Sequence, residues 1–243
     1  MNLSAACQLW LRTTRLAAVL LAVPLLLRAA DESGPVLFSD DFDRDLRQWS
    51  IEQMPGGSVA LREGALVIED VGGTTLWFRP RLTAPLEISY EVEVAVHDGP
   101  HDRLSDLNCF WMAQDPTRPA GALPAGRSGR FSDYDSLQTY YVGYGGNNNT
   151  TSRFRRYDGT SARPLLPQHD LSAADFLLVP NHVYNLRIVV RDGGTTEFWR
   201  DGEKIFSFTD PHPLTTGYFA FRTVQSHQII RHFKISRLSS PAT

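Results

Sequence analysis

From residue 31 onward the chain alternates apolar and polar residues with a period of two almost throughout. Leu86-Glu87-Ile88-Ser89-Tyr90-Glu91-Val92-Glu93-Val94 is the clearest case, with one apolar and one wet face over its length. An extended strand places every second side chain on the same side, so this pattern asks for β-structure. Residues 58–62 and 65–69 alternate around Gly64 as a hairpin, and Thr74–Phe78 is β-branched and aromatic. Further strands are predicted at Asn108–Ala113, Leu137–Tyr144, Ser152–Tyr157, Val183–Val190, Thr195–Arg200, Glu203–Thr209, Gly217–Thr223 and His232–Leu238. Asp192-Gly193-Gly194 and Asp201-Gly202 supply the positive φ that tight hairpins need. No window of helical length shows a 3.6 period, and Leu171–Leu178 offers one helical turn or two. No internal repeat points to a propeller. About a dozen strands in a single domain, 31–243, predict an all-β fold of two packed antiparallel sheets, a sandwich or jelly roll.

Residues 1–30 read as a secretion signal peptide. Arg12 and Arg15 precede the apolar run Leu16–Leu27, which is too short to span a bilayer and ends in Arg28-Ala29-Ala30. The expected location is secreted or periplasmic, with no stable membrane insertion after signal removal. The 243 residues carry a net charge of −3, and the first thirty contain three arginines and no acid, so the remainder is more acidic still. That balance excludes a nucleic-acid partner of the usual basic kind. Of the two cysteines, only Cys109 lies downstream, inside the apolar run Cys109-Phe110-Trp111-Met112, which excludes a disulfide scaffold and favours a buried, inert thiol.

The opening Phe38-Ser39-Asp40-Asp41-Phe42-Asp43 with Trp49 resembles the first strand of the concanavalin A-like lectin/glucanase jelly rolls. So does the closing series Tyr184–Val190, Glu197–Arg200, Asp201-Gly202-Glu203-Lys204 and Gly217-Tyr218-Phe219-Ala220-Phe221. The likeness covers most of residues 36–238 in strand order, and the block from Gly129 to Thr150 looks like an uncharacterised bacterial secreted branch of that superfamily. It implies a poly- or oligosaccharide partner held in the groove of one sheet. It also implies a possible structural calcium near Asp40, Asp41 or Asp43, although no multi-oxygen loop is recognisable; no other cofactor is called for. Function does not follow from fold alone.

Two features break the strand rhythm. Asp115–Asp135 is a long connection rich in Pro, Gly and Arg, the kind that is functional or disordered in a compact domain. Around it, eight arginines between residues 103 and 163 face five aspartates, with no Lys and no Glu. Tyr134, Tyr140, Tyr141, Tyr144 and Tyr157 lie in the same stretch. A guanidinium fork matches a carboxylate or sulfate, and aromatic faces stack on sugar rings, so the combination suits an acidic glycan. The chain has only Lys204 and Lys234 as lysines, so a general preference for Arg is the competing explanation.

Parity sorts the candidates. Gln138, Tyr140, Val142 and Tyr144 share one face, opposed by Leu137, Thr139, Tyr141 and Gly143. Arg153, Arg155 and Tyr157 share another, and Asn108, Phe110 and Met112 oppose Cys109 and Trp111. Arg222, followed by Ser226-His227, sits in the otherwise apolar Gly217–Thr223 and needs a polar cavity or partner. Arg222, Tyr140, Tyr144 and His227 are the catalytic candidates. Asn108, Gln138, Arg130, Arg153, Arg155, Tyr157 and Tyr134 are the substrate-binding candidates, with His169 a further possible base. No metal site is expected: His97 and His101 flank a Gly-Pro turn and no H-x-x-x-H helix exists. Asn147-Asn148-Asn149 reads as a tight turn.

A retaining glycosidase needs paired carboxylates, but Glu87, Glu91 and Glu93 lie on an early solvated strand and the central strands hold no Glu. A β-eliminating polysaccharide lyase instead needs a cation beside the uronate carboxylate and a Tyr or His base. The leading expectation is therefore a secreted protein acting on an acidic polysaccharide in a lyase-like way. The alternatives are a non-catalytic carbohydrate-binding module and a structural envelope protein.

Overall fold

The computed structural model describes residues 33–239, so the reading of 1–30 as a signal lies outside the described residues. Among the described residues no helix is long and apolar enough to cross a membrane. The chain forms two eight-stranded antiparallel sheets packed face to face.

The first sheet runs β14 (Glu203–Thr209), β13 (Thr195–Arg200), β12 (Val183–Val190), β7 (Leu86–Val94), β16 (His227–Leu238), β4 (Ala65–Glu69) and β3 (Ser58–Arg62). The long β16 divides its outer edge, pairing β4 through residues 227–230 and β1 (Ser33–Asp40) through residues 233–238. The second sheet runs β11 (Asp170–Leu171), β10 (Thr151–Asp158), β9 (Gln138–Gly145), β8 (Leu107–Gln114), β15 (Thr216–Thr223), β5 (Thr74–Phe78) and β2 (Trp49–Gln53), while β6 (Leu82–Thr83) pairs the start of β15. All the predicted strands form. β16 starts five residues before its predicted boundary, and the segment expected to hold a helical turn carries one 3-10 turn at Ala174–Phe176.

Alternation dictates the core. Ile88, Val92, Leu186, Ile188, Ile230 and Ile235 from the first sheet meet Leu76, Phe78, Trp111, Val142, Phe154 and Phe221 from the second. Trp49 lies stacked on Phe221, with ring centroids 5.0 Å apart. Removing such side chains from water contributes roughly 1.5–3 kcal/mol each. Met112 departs from the predicted parity: its φ of +51° makes a bulge between Trp111 and Gln114, which turns Met112 into the inner core rather than leaving it beside Phe110.

The second sheet is apolar on its outer face too. Trp77, Phe110, Tyr134, Leu137, Tyr141, Tyr157 and Tyr218 form a second cluster there, roofed by Leu123, Ala125 and Phe131 of the 115–135 connection. That connection is ordered by buried polar anchors. Glu52 on β2 accepts hydrogen bonds from Trp77 Nε1 (3.1 Å), Tyr134 OH (2.6 Å), the Arg127 amide (2.8 Å) and the Gly126 amide. Asp115 takes Arg127 and Arg118. Burial pushes the Asp115 carboxyl up, but hydrogen bonds from Thr117 and the Arg127 charge outweigh it and hold the group below the usual carboxylate range. Gly129 crosses so near Gly73 that a Cβ on Gly73 would lie 2.3 Å from the Gly129 carbonyl oxygen.

Candidate functional site

Strand register sets up a row of residues across the outer face of the second sheet. Glu52 pairs with Thr75, Thr75 with Arg222, Arg222 with Asn108, Asn108 with Gly143, Gly143 with Arg153, and Arg153 with Asp170. Directly paired residues in a sheet share a face, so this is one transverse polar line. The next line, Trp77, Ala220, Phe110, Tyr141 and Arg155, is apolar or aromatic until its last member.

The roof covers the Glu52 half of the polar line and leaves the Arg153 half open. There a cleft of about 360 Å³ is lined by Tyr141, Gly143, Arg153, Arg155, Tyr157 and Arg163, with Phe131 at the roof's edge and Asp106 and Asn147 at one end. That volume lies in the range of small-ligand sites. The Tyr141 hydroxyl reaches back over Gly143, where a Cβ would stand 2.8 Å from it. Gly143 thus serves as a close-approach position inside a strand. Asn147, Asn148 and Asn149 all have left-handed φ, 54°, 59° and 58°. They are held by Thr151, by Arg103 and, at Asn149, by paired bonds with the Leu178 backbone. Three such residues in succession store strain beside the cleft.

The arginine surplus resolves into two kinds. Arg103, Arg118, Arg127, Arg153, Arg156 and Arg163 each meet an aspartate. Arg153 does so bidentately, 2.7 and 3.1 Å from Asp170. Among the described residues Arg155 bonds only the Arg163 carbonyl and keeps its charge on the cleft wall. Arg222 is fully buried and also lacks a carboxylate partner. Its Nη1 donates to Thr75 Oγ1 (3.0 Å) and to the Gly129 carbonyl, while Nε and Nη2 have no partner. The guanidinium carbon lies 5.1 Å from the Tyr134 ring centre and 5.4 Å from that of Phe131. Asn108 Oδ1 and the Tyr157 hydroxyl, both buried, are unpaired as well. Burial raises the pKa of the Tyr141 and Tyr157 hydroxyls, so both are neutral phenols near pH 7; Arg163 and Arg155 oppose the shift at Tyr157 without cancelling it.

Of the sequence candidates, the structure brings Arg222, Asn108, Arg153, Arg155 and Tyr157 to one face, with Tyr134 in the roof above Arg222. It separates the others. Tyr140 and Tyr144 point into the inter-sheet core: Tyr140 OH donates to Asp210 (2.8 Å) and accepts from the Leu214 amide (3.0 Å), and Tyr144 OH accepts from Arg200. Even parity in β9 is the inner parity, so neither can act with Arg222. Gln138 shares that parity and lines a different cavity with Arg156 and His169. His227 belongs to the first sheet, its Nδ1 2.9 Å from Asp102. Arg130 is exposed at the roof, outside the cleft lining. Of the suggested calcium ligands, Asp40 is engaged by the Phe42 amide and by Trp49 Nε1, both at 2.9 Å. Among the described residues no group of three or more His, Cys, Asp or Glu is placed to hold a metal ion. The sequence candidates leave out Phe131 and Glu52, and Tyr141 stands among the clustered tyrosines without a role; Gly143 two residues after it, inside the strand, is the available signal.

The fold is a two-sheet jelly-roll sandwich of the galectin-like and concanavalin A-like class. Within that class, the chain belongs to the family described as "Domain of unknown function (DUF6250)", whose model matches residues 68–233. It is similar to a Bacillus subtilis protein of unknown function with a galectin-like fold, at 16% identity and a TM-score of 0.66 over 86% of this chain and 99% of that one. It is also similar to an endo-β-1,3-glucanase from Pyrococcus furiosus (10%, 0.55, 84% and 95%). A third likeness is to the carbohydrate-binding module CBM66 from Bacillus subtilis (10%, 0.50, 78% and 95%). At these identities the likeness establishes the fold alone. Among curated proteins none matches the chain.

Proposed function

We propose that this protein is a non-catalytic carbohydrate-binding domain that takes an acidic poly- or oligosaccharide in the cleft between Phe131, Tyr141 and Arg155. The observation that carries the reading is the unneutralised Arg155 on a cleft whose one carboxylate, Asp106, is already taken by Arg103 and Ser105. An uncompensated guanidinium beside tyrosine edges and a half-buried Phe131 offers a fork for a sugar carboxylate or sulfate and a ring face for the pyranose. The glucanase and the carbohydrate-binding module among the similar structures support a saccharide ligand, and its acidic character is read from Arg155 alone. The arginine-led, acid-free leader at residues 1–30 supports an exported protein that meets its glycan outside the cytoplasm.

Binding is favoured over bond cleavage on chemical grounds. Hydrolysis by paired carboxylates lacks its second carboxylate in the cleft. Lyase-like elimination lacks an ionisable base near neutral pH on the Arg222 face, because the tyrosines there are held neutral by burial.

Isothermal titration against a panel of acidic and neutral polysaccharides tests the reading. Binding of an acidic member, weakened about tenfold or more by Arg155→Ala with the fold intact, is the expected result. Failure of every saccharide to bind, or indifference to Arg155→Ala, refutes it. A growing ultraviolet absorbance from an unsaturated product would replace the binding module with a lyase.

A further inference from the structure

We infer that the buried guanidinium of Arg222 forms an inner anion-binding chamber behind the cleft, closed by the side chain of Phe131, and that this chamber selects for the charged substituent of the bound sugar. The inference rests on the saccharide reading of the cleft and adds a second subsite to it.

Four buried polar atoms without partners converge on this side of the sheet: Arg222 Nε and Nη2, the Tyr157 hydroxyl and Asn108 Oδ1. Three of them can donate to an anion. Leaving such donors unpaired costs roughly 1–3 kcal/mol apiece, a cost that a bound anion on this face would remove. Arg222 and Asn108 are neighbours across β15 and β8, and the next residue along the polar line is Gly143, which lines the cleft. The Tyr141 ring covers Gly143, so the way from the cleft to Asn108 and Arg222 runs past Phe131, while Tyr157 lines the cleft and has its hydroxyl buried.

Phe131 occupies the remaining boundary. Its ring lines the cleft, lies 5.4 Å from the Arg222 guanidinium carbon and has Arg163 over it at 4.3 Å. The roof backbone around it is fixed through Glu52 and Arg127, so the side chain of Phe131 is the part that can move while the roof stays docked. A carboxylate or sulfate ester entering from the cleft displaces the ring and takes the Arg222 fork. A neutral sugar gains nothing from doing so and stays in the outer cleft. Closure by Phe131 lowers the apparent affinity by the fraction of time the chamber is open.

The test is calorimetric titration of the folded wild type, Phe131→Ala and Arg222→Lys with D-galacturonate, D-galactose and inorganic sulfate. Thermal melting checks each fold. Phe131→Ala is expected to tighten inorganic sulfate about tenfold and to raise the affinity for galacturonate relative to galactose by a similar factor, galactose itself weakening as it loses the Phe131 ring face; the two arms tell sulfate from carboxylate selectivity. Arg222→Lys, which loses the planar fork, is expected to weaken the same anion about tenfold or more. If Arg222→Lys does not fold, Phe131→Ala decides alone. Unchanged sulfate affinity together with an unchanged galacturonate-to-galactose ratio in folded Phe131→Ala overturns the chamber. Should galacturonate binding still fall with Arg155→Ala, the cleft reading survives that loss. Tightened sulfate with no saccharide binding at all would keep the chamber and discard the saccharide.

Discussion

Glu52 is the residue whose removal tests the architecture of the site most directly. Its buried carboxylate receives four donors, two from the roof backbone, one from Tyr134 and one from the Trp77 indole. Glu52→Ala leaves all four without an acceptor. At roughly 1–3 kcal/mol for each orphaned donor the sum would be large, but the roof can lift and let water reach them, which caps the loss. A cost of about 3–5 kcal/mol, as for breaking other buried charge networks, is expected. For a domain of this size that lowers the melting temperature by roughly 6–20 °C. Glu52→Gln behaves differently. Its carbonyl oxygen can keep both backbone amides and its amide nitrogen can donate to the Tyr134 oxygen, so the Trp77 N–H is orphaned and the Tyr134 hydroxyl proton must turn to another acceptor, at about 1–3 kcal/mol. The order of melting is therefore wild type, Gln, Ala, and in the same order trypsin should cut progressively sooner after Arg127 or Arg130. An Ala variant that melts within about a degree of wild type, with its roof still resistant, would refute the claim that this carboxylate docks the connection.

Two further outcomes follow from packing and burial. Gly73→Ala would set a Cβ 2.3 Å from the Gly129 carbonyl oxygen and 2.8 Å from Arg222 Nη2, so it should cost about 1–3 kcal/mol or more in a thermal melt, while Gly193→Ala, with open space around it, leaves the melt unchanged. Burial lowers the pKa of His169 below its ordinary value, against the weaker pull of the Ser207 carbonyl, so the unfolded chain takes up this proton first as pH falls. The stability gap between wild type and His169→Phe should therefore shift in favour of the variant on acidifying from neutrality through about pH 6.5; a gap that does not change with pH contradicts it.

The β-sandwich was legible because a period of two over Leu86–Val94 admits one backbone and one buried face. Co-facial grouping was legible as well: Arg153, Arg155 and Tyr157 do share a side, and Arg222 does need a polar setting. What could not be read was which side of β9 faces the cleft. Both its faces are buried, one by the opposite sheet and one by the roof, so hydrophobicity gave Tyr140 and Tyr141 the same appearance. Nor does spacing distinguish an arginine that holds a loop from one left without a carboxylate on a cleft wall. Arg127 and Arg155 differ only in whether the fold brings a carboxylate to them, and Asp115 reaches the first and none the second.

That double burial of β9 bears on how the chain finds its pairing. In most strands a slip of one residue throws polar groups into the interior and is rejected at once. Here the same slip would trade Tyr140 for Tyr141, ring for ring. What separates the two registers is the end of each ring. Tyr140 must meet both Asp210 and the Leu214 amide, and Tyr141 must find the bare backbone of Gly143 beneath its oxygen. The phenolic oxygens act as the proofreaders of this strand, and the glycine that opens the cleft is also the mark against which the sheet is aligned.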